Sequence, residues 1–263
     1  AEIDDVPIDQ FGIKIEPLED ILNKRARTNR APKFLYTIPT YQNPSGTTLT
    51  LERRQKLLEL SSRYGFMIVE DTAYNELWYD EEPPPSLFEL DDGAGRVIQM
   101  GTFSKIMAPG LAVGWALGPE PVITRFVEFK DNGGTTSLTS HIAAAFLADE
   151  LFDQHVASLR LIYKSKRNAM VKALEKYMHG LATWYRPGGG YFVWLRLQDN
   201  VNPDILWENA TNEGIIYLPG GFCFANSEDK LPVVRLAFSA LSPEEIKEGV
   251  RRLSTAIKKS CNV

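Results

Sequence analysis

The sequence predicts an α/β protein, a mostly parallel sheet covered by helices, followed by a smaller α+β domain. Three observations carry this. In the first half, apolar β-rich runs (KFLYTIPT, FMIVE, RVIQM) alternate with helical patterns, as parallel strands joined by crossovers do. From about Ser140 to Tyr177 runs a long stretch with few breakers, which reads as one or two helices bridging domains. In the last third, the short apolar runs GGGYFVWLRL, GIIYLPGGFCF and VVRLAFS are separated by polar turns. The expected domains are residues 1–155 and 156–263.

Each element has a local reason. PLEDILNKR follows a glycine turn and reads as a short helix. KFLYTIPT is a strand stopped by YQNPSGTT, whose Asn-Pro and Ser-Gly pairs block continuation. Thr50 can cap the helix LERRQKLLELSSRY, with Leu51, Leu57, Leu58 and Leu60 as its apolar positions, and Gly65 can stop it. FMIVE, a continuous apolar run, ends in Asp71. RVIQM leads into the lysine loop, and AVGWALG is a further strand. The closing pattern SPEEIKEGVRRLSTAIKKS opens with a Ser-x-x-Glu capping box, Ser242 to Glu245. In sheets of this kind ligands bind beyond the carboxyl ends of the strands. Asn43, Asp71, Tyr74 and Lys105 all follow strand-like runs, so one edge is expected to gather them.

Composition narrows the class. Hydrophobic residues make up 44% and charged residues 24%, the balance of a globular chain with a sizeable core. A net charge of −5 with no basic run argues against a nucleic-acid surface. Cys223 and Cys261 form no CxxC pair and His141, His155 and His179 are scattered, so neither a disulfide framework nor a metal site is expected. Cys223 reads as a small buried residue. No apolar run approaches the roughly 18 residues of a membrane helix. The opening AEIDDVPID is acidic, without a signal core, and starts as if inside a domain.

The run GTFSKIMAPGLAVGW, Gly101 to Trp115, is the most informative segment. It sets Lys105 beside Thr102 and Ser104 just after a buried strand. A lysine there is ordinarily a solvated charge. Small hydroxyl residues beside an amine suit a phosphate-bearing aldehyde held as a Schiff base.

Four motifs in order, PTYQNPSG (39–46), EDTAY (70–74), GTFSK (101–105) and VVRLAFS (233–239), together with APGLAVGW and PGGGYFVWL, resemble the fold-type I aminotransferases that depend on pyridoxal 5′-phosphate. The nearest branch holds the α-aminoadipate and kynurenine aminotransferases and the aminotransferase-like domains of certain bacterial regulators. The resemblance implies a large cofactor domain, here its later portion, and a small C-terminal domain. It implies that Lys105 forms the internal aldimine and then moves the proton between the amino-acid Cα and the cofactor. Asp71 stands where the family pairs a carboxylate with the pyridine nitrogen. Tyr74 and Asn43 match groups that hydrogen-bond the ring's phenolic oxygen. Thr102 matches a phosphate contact, with Ser104 a further candidate beside it, and Arg235 matches the arginine that grips the substrate α-carboxylate, assisted by Asn43.

Two departures matter. Ala112 stands where the family usually has a phosphate-binding arginine, a contact worth roughly 1.5–3 kcal/mol. The family's earlier part, with its phosphate-holding helix and stacking aromatic, is expected to be missing; GAGR at 93–96 precedes a strand and is no phosphate cradle. The expected reaction moves an amino group from a long-chain or aromatic amino acid to a 2-oxo acid. The alternatives are an inactive aminotransferase-fold product, a lyase or decarboxylase on the same scaffold, and a regulator's sensing domain. The intact protein is expected to be a homodimer with small-molecule substrates and no nucleic-acid or membrane partner. A cytoplasmic location is expected, a mitochondrial one staying open. Exposed strand edges predict poor solubility of the isolated chain.

Overall fold

The computed structural model describes residues 2–131, 134–148, 151–225 and 232–261. It divides into two compact units. The N-terminal unit holds Val6–Gln42 and Thr47–Leu159, and the C-terminal unit takes Arg160 onward with two earlier pieces, the residues through Asp5 and Asn43–Gly46.

The N-terminal unit opens with a small hairpin, β1 (Ile8–Asp9) and β2 (Gly12–Ile13), followed by α1 (Ile15–Arg27). Then come β3 (Phe34–Thr37), α2 (Leu51–Tyr64), β4 (Met67–Asp71), α3 (Leu87–Leu90), β5 (Val97–Thr102) and β6 (Gly114–Leu117). The sheet order is β3-β4-β5-β6. β3, β4 and β5 run parallel, with Leu35 opposite Ile68 and Ile68 opposite Val97. β6 returns antiparallel, because the lysine loop joins it to β5 without a crossover helix. α4 (Glu120–Glu128) and α5 (Ser137–Leu147) follow. The expected mostly parallel sheet is thus present.

The core of this unit is built from α1, α2 and the sheet, with Leu22, Leu57, Phe66, Ile68 and Val97 at 2% exposure or less. Each such side chain contributes about 1.5–3 kcal/mol by leaving water. α2 begins where Thr50 accepts the Arg53 N–H (3.4 Å) and ends at Gly65, whose φ of 72° is the left-handed stop glycine favours. Its buried face differs from the leucine reading. Leu51 is 42% exposed, while Arg54 is fully buried. Its guanidinium donates to the carbonyls of Leu49 (3.0 Å), Pro85 (2.9 Å) and Pro39 (3.3 Å) and to Thr40 Oγ1 (2.8 Å). Four oxygens satisfy a cation that would otherwise be costly to bury.

α6 (Leu151–Tyr177) contains the boundary between the units. The long breaker-poor stretch is therefore two helices, α5 and α6; residues 149 and 150 lie outside the described residues. In the C-terminal unit β7 (Ala182–Trp184), β8 (Phe192–Leu197), α7 (Pro203–Asn212), β9 (Leu218–Pro219), β10 (Val233–Ala237) and α8 (Pro243–Ser260) follow. The sheet is antiparallel in the order β7-β8-β10-β9. α7 and α8 pack together, burying Leu206, Ala210, Leu253 and Ile257. The α8 capping box forms as expected: Ser242 accepts the Glu245 N–H and Glu245 accepts the Ser242 N–H. The run GIIYLPGGFCF contains only the two-residue β9 and a tight 3-10 turn, Gly220–Cys223, so its apolar run overstates the strand. Ala225 N–H bonds the Asp5 carboxylate (3.1 Å), which ties the first residues to this unit.

Candidate active site

The lysine side of the site belongs to the N-terminal unit and grows from the ends of β4 and β5. On β4 the pleat sends alternate residues to opposite faces. Glu70 is fully buried, its carboxylate accepting the Leu87 (2.8 Å) and Phe88 (3.0 Å) N–H groups at the start of α3 and the Gln99 amide (3.2 Å). Burial pushes the Glu70 carboxyl above its ordinary value, and the backbone bonds pull against that. With Glu70 anchored inward, Asp71 goes to the other face.

Asp71 is held at both oxygens. Ala73 N–H donates to Oδ1 (3.0 Å) and the Tyr36 hydroxyl donates to Oδ2 (2.7 Å). Desolvation first, and then the neighbouring carboxylate, push the Tyr36 phenol well above its ordinary value. The chain after Asp71 is tied to β5, since Thr72 N–H and Oγ1 both donate to Met100 O (2.8 and 2.9 Å). Tyr74 follows in the same turn and is 5% exposed. Next to it, Asn75 Oδ1 is buried with no partner among the described residues.

β5 ends at Thr102, whose hydroxyl lies 3.0 Å from Ser104 Oγ and 3.2 Å from Val113 O and accepts the Ser104 N–H (3.1 Å). Phe103 O then takes the Ile106 (3.2 Å) and Met107 (2.7 Å) N–H groups, closing a turn around the half-buried Lys105. Gly101 has no room for a side chain: a Cβ there would lie 2.2 Å from Trp115 Cζ2, its cross-strand partner on β6. Past a short 3-10 turn, Pro109–Leu111, Ala112 is exposed and left-handed at φ 51°.

The arginine side belongs to the C-terminal unit. Arg235 sits mid-strand on β10, opposite Trp194 of β8 and diagonal to Phe192. Its guanidinium lies 4.3 Å from the Phe192 ring centroid, and Nη1 donates to Asn43 Oδ1 (2.7 Å). Arg235 Nε is buried with no partner among the described residues. Asn43 is held beside it because Gly46, at φ 70°, packs so close to Phe192 O that a Cβ would come within 2.7 Å. Burial raises the Cys223 thiol above its ordinary value, and the Arg235 charge opposes this. Cys223 is half-buried, less enclosed than its apolar stretch suggests.

Of the residues singled out from the sequence, Asp71, Tyr74, Thr102, Ser104 and Lys105 therefore lie in one unit, and Asn43 and Arg235 bond each other in the other. Sequence reasoning missed Tyr36 and Phe192. Tyr36 could have been found from period 2 on β3, which sets a polar tip one strand from Asp71.

The donor set fits pyridoxal 5′-phosphate. An amine, a carboxylate with a lone pair left on each oxygen, and two hydroxyls beside backbone N–H groups stand at adjacent parallel strand ends, where α/β sheets bind ligands. Arg235 Nε, without a partner among the described residues, suits a carboxylate.

The family model for aminotransferase class I and II matches residues 1–253, and the chain belongs to that family. It is 39% identical over 256 residues to aromatic-amino-acid aminotransferase 1 of Thermococcus litoralis, covering 96% of this chain and 61% of that protein. To 2-aminoadipate transaminase of Thermus thermophilus it is 37% identical, covering 96% and 63%. The crystal structure of a Pyrococcus horikoshii kynurenine aminotransferase superposes with a TM-score of 0.94 at 36% identity, covering 98% of this chain and 64% of that one. The chain thus spans less than two thirds of the length of these relatives.

Proposed function

We propose that this chain carries the lysine and arginine machinery of a pyridoxal-phosphate-dependent aminotransferase that moves an amino group from a long-chain or aromatic amino acid to a 2-oxo acid. The observation that carries the reading is Arg235. A guanidinium inside an apolar strand, with Nε buried and without a partner among the described residues, lacks a hydrogen bond worth about 1–3 kcal/mol there. The α-carboxylate shared by amino acids and 2-oxo acids supplies one, and the planar fork fits it bidentately.

Lys105 would hold the cofactor's aldehyde carbon, Asp71 its ring nitrogen, Tyr74 and Asn43 its phenolic oxygen, and Thr102 and Ser104 its phosphate. When bound, pyridoxal phosphate supplies the electron sink that makes the amino-acid Cα–H acidic. Lys105 Nζ would serve as the base and acid that moves the proton at the amino-acid Cα. Arg235, steadied by Asn43 and Phe192, would hold the substrate α-carboxylate. Asp71, with a lone pair left on each oxygen, would accept a hydrogen bond from the ring nitrogen. The relatives named for aromatic amino acids, 2-aminoadipate and kynurenine support the substrate class.

The same reading makes the intact protein a homodimer of the cytoplasm working on small molecules. Among the described residues no helix is long and apolar enough to cross a membrane. A second reading, a fold without cofactor grip, is favoured by Ala112, which offers a methyl group where the family usually has a cation.

One experiment separates the two. The chain is mixed with pyridoxal phosphate, reduced with borohydride, and its modified lysine mapped by mass spectrometry, with Lys105→Ala as control. Stoichiometric label on Lys105 with loss of the label in the variant is the expected result. Scattered or absent label would leave the family standing and move the chain to the second reading.

A further inference from the structure

We propose that Tyr36 is the positioning residue for Asp71, fixing the carboxylate through its hydroxyl so that it discriminates for a ring nitrogen bearing a proton. The inference rests on the cofactor reading above and adds a residue to it.

Three observations support it. Tyr36 lies on β3, the neighbour of β4, and its hydroxyl reaches Asp71 Oδ2 at 2.7 Å although 35 residues separate the two. The other oxygen is tied by Ala73 N–H at 3.0 Å, so the carboxylate cannot turn about its Cβ–Cγ bond without losing a bond. Each oxygen has still accepted only one of these two donors, which leaves room for a further N–H. The phenol that does this is a durable donor, because burial and the Asp71 charge both oppose loss of its proton. Tyr36 is also 50% exposed and fills no core. A half-exposed tyrosine on a strand ordinarily contributes packing area alone. Here its polar tip is spent on one oxygen of the carboxylate, and a carboxylate held at both ends is preorganised for a third donor rather than reoriented by it.

The test compares the affinity of the purified chain for pyridoxal 5′-phosphate and for 1-deazapyridoxal 5′-phosphate, which has a C–H in place of the ring nitrogen. The native chain should prefer the pyridine compound, and Tyr36→Phe should cut that preference about tenfold, the loss of one hydrogen bond to a charged group. Its affinity for the deaza compound should stay unchanged. Phe34→Leu, on the same face of β3, should leave the preference intact. A native preference that survives in Tyr36→Phe overturns this inference and leaves the cofactor reading standing. Equal weakening toward both compounds also overturns it, by making Tyr36 a packing residue. No preference in the native chain overturns both, since Asp71 then does not serve a ring nitrogen.

Discussion

The lysine group and the arginine group are mounted differently. Lys105, Thr102 and Ser104 extend beyond the end of a parallel strand, in a turn closed by its own hydroxyls and amides. Arg235 sits within an antiparallel strand flanked on both sides, its charge laid on Phe192 and bonded across the chain to Asn43. A strand-end group can change without disturbing the ladder behind it. A mid-strand cation is part of the wall it serves. Substitutions at the first should alter chemistry alone, and those at the second should alter binding together with local packing.

Lys105→Ala gives the largest expected effect. If Lys105 carries the proton as proposed, its loss should remove about 10²–10⁴-fold in turnover, with less than about 0.5 kcal/mol change in stability by urea melts. A comparable loss of stability would break the contrast. Arg235→Leu should raise KM for the amino acid about tenfold or more, with kcat less affected. Arg235→Lys should recover only part of this, since an ammonium keeps the charge but not the fork. A lysine variant equal to the native chain in KM would show that charge alone is read there. Ala112→Arg should tighten pyridoxal phosphate by about tenfold, measured by titration of the bound absorbance. No change would mean that the hydroxyls and turn amides suffice.

Glu70 gives the smallest effect and a pH signature. Its folded value is raised, so the folded state holds the proton over a window where the unfolded chain has released it. Its contribution is therefore fully present below the ordinary glutamate value and is lost as pH rises through the folded value. Glu70→Gln cannot titrate, so the gap in melting temperature between native chain and variant should be widest in acid and narrow toward neutrality. A gap independent of pH would refute the assignment of burial as the dominant influence on that carboxyl.

Local signals were the legible ones. Thr50 and Gly65 bound α2, Ser242 and Glu245 open α8, and the apolar runs mark β3, β4 and β5, because caps and periodicity act within a few residues. What the sequence hid acts at long range or against type. Arg54 reads as a solvated helix charge, yet carbonyls from three separate stretches bring it wholly inside. The Asn43–Arg235 bond spans 192 residues and the Tyr36–Asp71 bond 35, distances over which no local pattern carries information. β7 is too short and α7 too polar at its start to stand out from the turns around them.

The indole of Trp115 occupies the space where a Gly101 side chain would begin, with Cζ2 at 2.2 Å and Cε2 at 2.3 Å from that point. These two positions can therefore vary only in sequence, not independently. Any residue larger than glycine at 101 meets the ring while Trp115 is present, whereas a smaller residue at 115 first opens the space. The lysine loop thus has a preferred mutational order, with a change at 115 coming before any at 101.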